Sequence, residues 1–287
     1  MNKIVYLRFH SLVLLIFAVA LISLSNTSFA GGGWTRDKGK GFAQIGFNNI
    51  TYTTTYLDDG SLGTTDNLTR EITDQTLQLY AEYGLTNNIT LLLNAPYKLT
   101  EAKKIGASPR PEGSLNGVGN ISVGGKYGIL KGKINLAATL RYDAQTAKAD
   151  ELTGLRTGYD ASVIAPGVAI GLGGNKWHVG GDANFNIRTN GYSTDISAII
   201  EGGYRILKPV LLMAVLDMRK SFKNGSVVDF NQTTELYTDD QEFMAFGGKL
   251  NIDIAAGFGL NLWGYGALAG RKVPAAPSIG AGLCYTW

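Results

Sequence analysis

The side chains that could carry out catalysis are few in this sequence of 287 residues. After the first thirty residues the chain has one histidine, His178, and in its whole length one cysteine, Cys284. A nucleophilic hydrolase would need a serine hydroxyl within hydrogen-bond reach of His178, and a zinc site would need several His or Cys ligands. The acidic segments Asp58–Gly60 and Asp239–Asp240 lack the spacing of a calcium loop and are typical of solvated turns. We therefore expect no catalytic residue, no metal and no cofactor.

The N-terminus has the three parts of a secretory signal peptide. Two basic residues in the first ten are followed by the uncharged apolar run Leu12–Leu24, and Ser28 and Ala30 then occupy the small-residue positions of a cleavage site. The alternative is an uncleaved anchor helix, although this run is shorter than the ~20 residues that span a bilayer. We expect residues 1–30 to be removed and residues 31–287 to form the mature protein.

The composition of the mature chain differs from that of ordinary soluble proteins. Loss of Lys3 and Arg8 with the signal lowers the formal net charge from +3 to +1, so we expect no nucleic-acid partner. Charged residues make up 17% of the chain, against about 25% in soluble proteins. Mean hydropathy is nevertheless only +0.02, and no apolar run after the signal is long enough for a membrane helix. This combination is typical of a transmembrane β-barrel, in which alternate residues face lipid.

Apolar residues recur at every second position through most of the mature chain. Between Gln75 and Tyr83, for example, Leu77, Leu79 and Ala81 share one face with Tyr83, and polar residues share the other. The same pattern predicts twelve strands, at residues 41–52, 71–83, 88–99, 118–130, 134–143, 159–172, 177–188, 195–206, 210–220, 242–250, 254–265 and 278–287. Short connections alternate with longer polar ones, as periplasmic turns alternate with outer loops in outer-membrane barrels.

Alternation is also compatible with a soluble β-sandwich, but three observations favour the barrel. Most of the predicted strands are as long as the ~9–11 residues of a tilted membrane strand, whereas soluble strands average about 5–6. From the second strand onward the apolar faces carry no charge in mid-strand, where a charge would cost about 2–4 kcal/mol in lipid. Aromatic residues, which suit the headgroup zone, lie near the ends of these faces. They are Tyr83, Tyr97, Tyr127, Tyr142, Trp177, Tyr204, Tyr285 and Trp287.

The sequence therefore predicts an all-β fold: a transmembrane antiparallel up-and-down β-barrel of about 12 strands, preceded by a cleaved signal peptide and located in the cell outer membrane. Its expected partners are outer-membrane lipid, a small-molecule solute and the barrel assembly machinery. The last five residues, LCYTW, resemble the C-terminal signal that this machinery reads, with Tyr285 and Trp287 as the residues to be recognised.

The polar faces of the strands are expected to line the lumen, and they carry basic and acidic side chains in equal number. The basic residues are Lys98, Lys126, Arg141, Arg188, Arg205, Arg219 and Lys249, and the acidic residues are Asp74, Glu82, Asp143, Asp182, Asp195, Glu201 and Asp217. A strongly ion-selective pore would show an excess of one sign. These charges either form cross-strand ion pairs that fill the barrel or form a constriction that contacts a polar solute.

The residues expected at such a constriction are Lys126, Arg141, Asp182, Arg188, Glu201, Arg205 and Arg219. Asp182, Glu201, Arg188 and Arg205 are favoured as the ones that contact solute. Twelve strands lie between the eight of a filled barrel and the sixteen of an aqueous channel, so a narrow pore is compatible with this number. An N-terminal plug at Gly31–Lys40, including Trp34, could close it.

Three short motifs carry a resemblance to a known family. Trp34–Phe42 reads WTRDKGKGF, Tyr83–Leu91 reads YGLTNNITL, and Gly117–Asn120 reads GVGN before Lys126-Tyr127. They resemble the W…KGKG start, the YGLTD…LTL hairpin and the GLGD…KY strand of bacterial outer-membrane proteins catalogued as transporters of the meta-pathway of phenol degradation. Asn120 stands where that family commonly has Asp. The resemblance implies an outer-membrane β-barrel for uptake of small hydrophobic or aromatic compounds, and it supplies no catalytic residue.

Three functions remain open on the sequence. The first is an outer-membrane channel or transporter for small solutes, including the hydrophobic or aromatic compounds that the resemblance implies. The second is a structural or surface-display barrel with a closed lumen, whose outer loops at 53–70 and 221–241 bind a partner. The third, an outer-membrane hydrolase, has the least support, because His178 is predicted to point inward at the periplasmic end rather than toward the outer leaflet.

Overall fold

The computed structural model describes residues 32–63, 70–227 and 234–287. The predicted signal peptide, residues 1–30, lies outside the described residues. No helix in the described part of the chain is long and apolar enough to cross a membrane.

Twelve antiparallel strands form one closed sheet. They are β1 (Gly41–Tyr52), β2 (Arg70–Gly84), β3 (Ile89–Lys104), β4 (Gly113–Val118 and Ser122–Leu130), β5 (Ile134–Asp143), β6 (Val163–Gly173), β7 (Trp177–Arg188), β8 (Asp195–Leu207), β9 (Val210–Ser221), β10 (Glu242–Ala255), β11 (Phe258–Arg271) and β12 (Ser278–Thr286). Each strand pairs with its neighbours in sequence. The last strand closes the barrel by pairing with β1, from Phe42↔Thr286 to Ile50↔Ser278.

The outward side of the sheet is apolar, as expected of a surface in contact with lipid. Leu79 and Phe185 are each 41% exposed, and Ile200 is 49% exposed. The aromatic residues predicted at the ends of the apolar faces all point outward and are 39–56% exposed. A soluble sandwich would bury these side chains, so that alternative is excluded. The predicted transmembrane up-and-down barrel is confirmed, and with it the outer-membrane location that this fold implies. Recognition of Tyr285 and Trp287 by assembly machinery stays a prediction.

The two ends of the barrel differ in their connections. Tight turns join the strands at one end, which we call the periplasmic end, and longer connections, of which those at 189–194 and 272–277 are the shorter ones, join them at the other, the outer end. The turn between β10 and β11 lies at Ala256-Gly257, whose φ angles are +50° and +85°. Two successive positive φ angles form the type I′ turn that matches the twist of a two-residue hairpin.

The sequence analysis placed this turn at 251–253, which was wrong. Asn251 and Asp253 are residue types that favour turns, but both lie within β10, which ends at Ala255. Asn251 lines the lumen, and Asp253 Oδ2 lies 2.9 Å from Arg205 Nη1 on its inner side. The sequence pattern of a turn at this point therefore came from two polar residues that face the lumen from within a strand.

β3 and β11 also extend beyond their predicted ends, to Lys104 and Arg271. Asn120 explains two further differences from the predicted strands. The strand predicted at 118–130 is divided around this residue. Asn120 Nδ2 donates to the carbonyl oxygens of Ala144 and Tyr159 at 3.0 and 2.9 Å, and its Oδ1 accepts from Tyr159 N at 2.7 Å. The chain before Val163 is thus held by a side chain rather than by a strand ladder, and the strand predicted at 159–172 begins only at Val163.

The outer loops fold into the mouth of the barrel. We call residues 147–160 and 234–241 the lid. Thr234 Oγ1 in one segment donates to Gly154 O in the other at 2.7 Å, and Arg70 Nη1 on the barrel wall donates to Thr153 O at 2.8 Å. A buried apolar cluster joins the lid to the strand ends. Its members are Tyr52, Ile72, Ala102, Leu155 and Leu236. The lid therefore has a small core of its own.

Candidate functional site: the barrel lumen

A cavity of about 800 Å³ lies inside the barrel, between the lid and the residues at the periplasmic end. This volume falls within the ~300–1,000 Å³ of typical small-molecule sites. Gly32 and Phe42 contribute to its lower boundary, and Tyr237 and Arg219 contribute to its upper boundary. We call this space the central cavity.

Side-chain amides line one side of the central cavity. They are Gln44 and Asn48 on β1, Gln78 on β2, Asn94 on β3 and Asn261 on β11. Gln78 Nε2 donates to Asn94 Oδ1 at 2.6 Å, and Asn261 Nδ2 donates to Gln44 Oε1 at 2.5 Å. An amide that makes one such bond keeps further donor or acceptor capacity. This amide wall can therefore hydrogen-bond a neutral polar solute.

Carboxylates line the side contributed by β7 to β9, which the strand order places across the lumen from β2. Asp182, Glu201 and Asp217 border the central cavity. Glu201 Oε2 lies 3.5 Å from Lys249 Nζ, and its Oε1 lies 4.0 Å from His178 Nε2. Within the described residues, no basic group lies within 4.0 Å of Asp182 or Asp217; Asp182 accepts only from Asn184 Nδ2, at 2.7 Å. Asp182, Glu201 and Asp217 thus outnumber the one ammonium group at their level, that of Lys249, although the lumen as a whole carries both signs.

The segment before β1 forms the floor of the cavity. Arg36 Nε lies 2.7 Å from Glu82 Oε2 on the inner face of β2, and Arg36 N donates to Thr90 Oγ1 at 2.7 Å. Lys126 Nζ lies 3.4 Å from Gly32 O and 3.7 Å from Glu82 Oε1. Residues 32–36 thus lie inside the periplasmic end of the barrel, within the segment where the sequence analysis had placed a plug, and residues 37–40 lie exposed at its rim.

Trp34 fixes the position of this floor segment against two glycines. A Cβ atom at Gly171 would lie 2.5 Å from the Trp34 ring, and one at Gly180 would lie 2.9 Å from it. The ring also meets His178 edge-on, with centroids 6.1 Å apart. Only glycine leaves room for the indole at these two wall positions. His178 is buried and faces inward, as predicted, and its neighbours are Trp34 and Glu201.

A cluster of aromatic and basic side chains forms the roof. The guanidinium of Arg188 lies 4.6 Å from the centre of the Tyr159 ring, and Arg219 Nη1 donates to the Tyr159 hydroxyl at 2.7 Å. Tyr237 meets Tyr159 edge-on at 5.3 Å, and Lys98 Nζ lies 5.2 Å over the Tyr237 ring. Burial in the lid, against the lowering effect of Lys98, raises the pKa of Tyr237 to about 12. The Tyr237 hydroxyl is therefore neutral at physiological pH.

The structure distributes the seven predicted constriction residues over the full height of the lumen. Asp182, Glu201 and Arg219 border the central cavity, whereas Lys126 lies in the floor. Arg141 donates to Asp143 at 2.9 Å and to Asn186 at 3.0 Å. Arg188 pairs with Asp195 near the roof, and Arg205 pairs with Asp253 at the periplasmic end. Of the four residues favoured as solute contacts, only Asp182 and Glu201 border the central cavity.

Sequence reasoning missed the amide wall and the loop tyrosines. It sorted inward positions by charge, although Gln44, Asn48, Gln78 and Asn94 occupy alternate inward positions that the same pattern assigns. Tyr159 and Tyr237 come from loops, whose folding into the barrel no periodicity predicts. In the described part of the chain, no three His, Cys, Asp or Glu side chains lie close enough together to hold a metal ion.

Solved structures similar to this one are outer-membrane barrels. An outer membrane channel from Pseudomonas putida F1 matches with a TM-score of 0.67 at 19% identity, over 91% of this chain and 100% of that one. The translocator domain of the autotransporter NalP from Neisseria meningitidis matches with a TM-score of 0.51 at 10% identity, over 98% and 96%. The NanC porin matches with a TM-score of 0.50 at 7% identity, over 85% and 98%. At these identities the likeness shows the fold alone.

No family model matches the sequence, and no curated protein matches it either.

Proposed function

We propose that this protein is an outer-membrane channel for small polar solutes, neutral or cationic, which pass through the central cavity when the floor and the lid move. The observation that carries the proposal is the pair of carboxylates, Asp182 and Asp217, which face this cavity and have no basic group within 4.0 Å among the residues that the structure describes. Carboxylate rings favour cations in channels, and the amide wall opposite supplies hydrogen bonds for neutral groups.

The lining of the cavity also bears on the solute class. An aromatic hydrocarbon, as the family resemblance implies, would have to displace water from amides and carboxylates without replacing its hydrogen bonds. Loss of such bonds costs about 1–3 kcal/mol for each buried group left unsatisfied. A solute with hydroxyl, amide or ammonium groups would replace them. The central cavity therefore suits polar solutes better than apolar ones.

Planar-bilayer recording of the purified barrel tests the proposal. In a KCl gradient we expect single-channel steps and a reversal potential that shows K⁺ preferred over Cl⁻. The double variant Asp182→Asn/Asp217→Asn should shift the reversal potential toward zero while the steps persist. Glu101→Gln is the control, because Glu101 lies on the outward face of β3, away from the lumen, and its side chain is 45% exposed. An unchanged reversal potential in the double variant would rule out these carboxylates as the selectivity site.

The second candidate function, a closed barrel whose loops bind a partner, is favoured by the lid core and predicts a different result. A barrel of that kind would be electrically silent, both as the wild type and after deletion of residues 32–38. Steps that appear only after this deletion would instead show a lumen that the floor keeps closed.

A further inference from the structure

Trp263 on β11 lies flat against the wall of the central cavity. Its indole extends across β12 to β1, where Nε1 donates to Asn48 Oδ1 at 3.0 Å. On the way it covers Gly280, where a Cβ atom would clash with Cε2, Cζ2 and Nε1 at nearly equal distances. A point that is nearly equidistant from three adjacent ring atoms lies over the face of the ring. One face of the indole therefore packs on the backbone, and the other borders the cavity.

Two glycines make this position of the ring possible. Trp263 pairs with Gly280 on β12, and Gly280 pairs with Asn48 on β1, so the ring spans three neighbouring strands. Gly46, also on β1, leaves room for the far edge of the ring, because a Cβ atom there would lie 3.0 Å from Cη2. We call the cavity-facing side of this ring the indole platform.

Three side chains of the amide wall surround the indole platform. Asn48 Oδ1 accepts from Trp263 Nε1 and, at 2.8 Å, from Ser278 Oγ. Asn261 lies two residues before Trp263 on the same face of β11, and its Nδ2 donates to Gln44 Oε1 at 2.5 Å. A side-chain amide whose oxygen accepts two hydrogen bonds still has its two N–H donors. The platform is therefore a flat apolar surface with hydrogen-bonding groups along its edge.

The charges near the indole platform favour a neutral ligand. Lys249 is the cross-strand partner of Trp263 on β10, and its Nζ lies 3.5 Å from Glu201 Oε2. The ammonium charge is thus balanced by a carboxylate. Asp182 and Asp217 border the same cavity and would repel an anion. An acidic solute therefore gains less from this site than a neutral one.

A sugar ring matches both parts of this site. Its C–H bonds carry a partial positive charge and can stack on the negative face of an indole. Its hydroxyl groups are both donors and acceptors, and the amides at the edge of the platform offer both kinds of partner. A planar hydrocarbon would cover the indole equally well, but it would leave these amides without hydrogen bonds.

We propose that the indole platform is a binding site for a neutral saccharide, and that a mono- or disaccharide is the polar solute that the channel admits. The second half of this inference rests on the proposed function, whereas binding to the platform requires only access to the central cavity. The sugar ring stacks on Trp263, and the amides of Asn48 and Asn261 bind its hydroxyl groups.

Interruption of the ionic current by maltose tests the site in the open channel. We expect maltose to reduce the current through the wild-type barrel, and Trp263→Ala to weaken this block about tenfold, because one aromatic stacking contact is lost. Leu262→Ala is the matched control, because the neighbouring Leu262 faces lipid and is 38% exposed. Current steps that persist in every variant show that the barrels are folded. A block of equal strength in Trp263→Ala, or steps that maltose never interrupts, would overturn the site and leave the polar channel intact.

The charge argument is tested by a pair of sugars. Glucose and glucuronate differ by one carboxylate, and we expect glucuronate to interrupt the current only at a higher concentration than glucose. A stronger block by glucuronate would overturn the assignment to neutral sugars.

Tryptophan fluorescence of the barrel in lipid nanodiscs tests binding without ionic current. Maltose should change the emission of the wild type and of the lipid-facing control Trp177→Phe, but not that of Trp263→Phe. Such a change in a barrel that conducts no ions would keep the saccharide site and refute the channel. Deletion of residues 32–38 removes the floor and gives maltose access from the periplasmic end. Absence of an emission change in both the wild type and this deletion variant, or a response to toluene and not to maltose, would overturn the proposal.

Discussion

Arg36 and Glu82 form an ion pair inside the barrel, with Arg36 Nε 2.7 Å from Glu82 Oε2. The Glu82 side chain is 3% exposed, and Lys126 Nζ lies 3.7 Å away from it. This pair joins the segment before β1 to the inner face of β2, so it holds the floor of the central cavity in place.

Removal of this pair should loosen the floor. We expect Arg36→Ala to raise the open probability in bilayer recordings, because a buried pair that loses one partner is destabilised by about 3–5 kcal/mol and Lys126 offsets only part of that. Lys40→Ala, at an exposed position of the same segment, should leave the recordings unchanged. Identical traces for all three proteins would mean that the floor does not limit conduction.

Displacement of the Trp34 ring by a steric clash should also loosen the floor, without any change of charge. In Gly171→Ala the new Cβ would lie 2.5 Å from the indole, so the ring must move away from the wall. We expect a higher open probability and a change in Trp34 fluorescence. Gly202→Ala is the control, because its Cβ would contact nothing closer than 3.9 Å. Open probability and fluorescence that are both unchanged from the wild type in Gly171→Ala would contradict the position of Trp34.

At position 120 the hydrogen bonds in the structure favour Asn, whereas the resembling family commonly has Asp. Asn120→Asp introduces the residue that the resembling family commonly has, yet it removes the Nδ2 donor shared by the carbonyl oxygens of Ala144, Tyr159 and Ala161. We expect a loss of about 1–3 kcal/mol in the free energy of unfolding, measured by urea titration in lipid vesicles. Asn116→Asp, at an exposed position of the same strand, is the matched control. Equal stability of the two variants would show that these hydrogen bonds contribute nothing.

The turn at Ala256-Gly257 offers a stabilising change. Ala256 has a φ of +50°, a left-handed conformation that costs a residue with a Cβ atom about 1–2 kcal/mol. Ala256→Gly should therefore raise the free energy of unfolding, in part offset by the greater entropy of the unfolded chain, and Ala256→Val should lower it. The order Gly above Ala above Val in urea midpoints is the expected result, and the reverse order would refute the type I′ geometry.

The lid should weaken at low pH through Asp240. Burial raises the pKa of this carboxyl, but hydrogen bonds from Ser193 Oγ at 2.6 Å and Ser221 Oγ at 3.0 Å lower it, and the lowering prevails. A carboxyl with a lowered pKa stabilises the folded state above its ordinary pKa and loses that contribution as the pH falls through the folded value, below about pH 4. We expect pepsin to cleave the lid faster as the pH drops through this range.

The matched variant separates this effect from general acid unfolding. Asp240→Asn should weaken the lid at neutral pH and remove this part of the pH dependence. A cleavage rate that depends on pH equally in the wild type and in Asp240→Asn would exclude Asp240 as the cause.

Sequence periodicity located the twelve strands of the barrel, because lipid on one side and water on the other impose an alternation of apolar and polar residues. It placed the ends of β3 and β11 too early, at 99 and 265 instead of Lys104 and Arg271. It located β1, β5 and β7 with the boundaries that the structure has. It failed where side chains replace ladder bonds, at Asn120, and where inward polar residues imitate a turn, at Asn251 and Asp253. The inward orientation of Asp182 and Glu201 followed from alternation. Whether a basic group lies near Asp182 depends on neighbours brought together across strands, and in the described ranges none lies within 4.0 Å.

The central cavity is covered at its two ends by parts of the chain far apart in sequence, residues 32–36 at one end and the lid at the other. If the floor and the lid open independently, the probability of a continuous path is the product of their two opening probabilities. The lumen therefore conducts only while the floor and the lid are open at the same time. A variant that loosens one of them still conducts no more often than the other one opens.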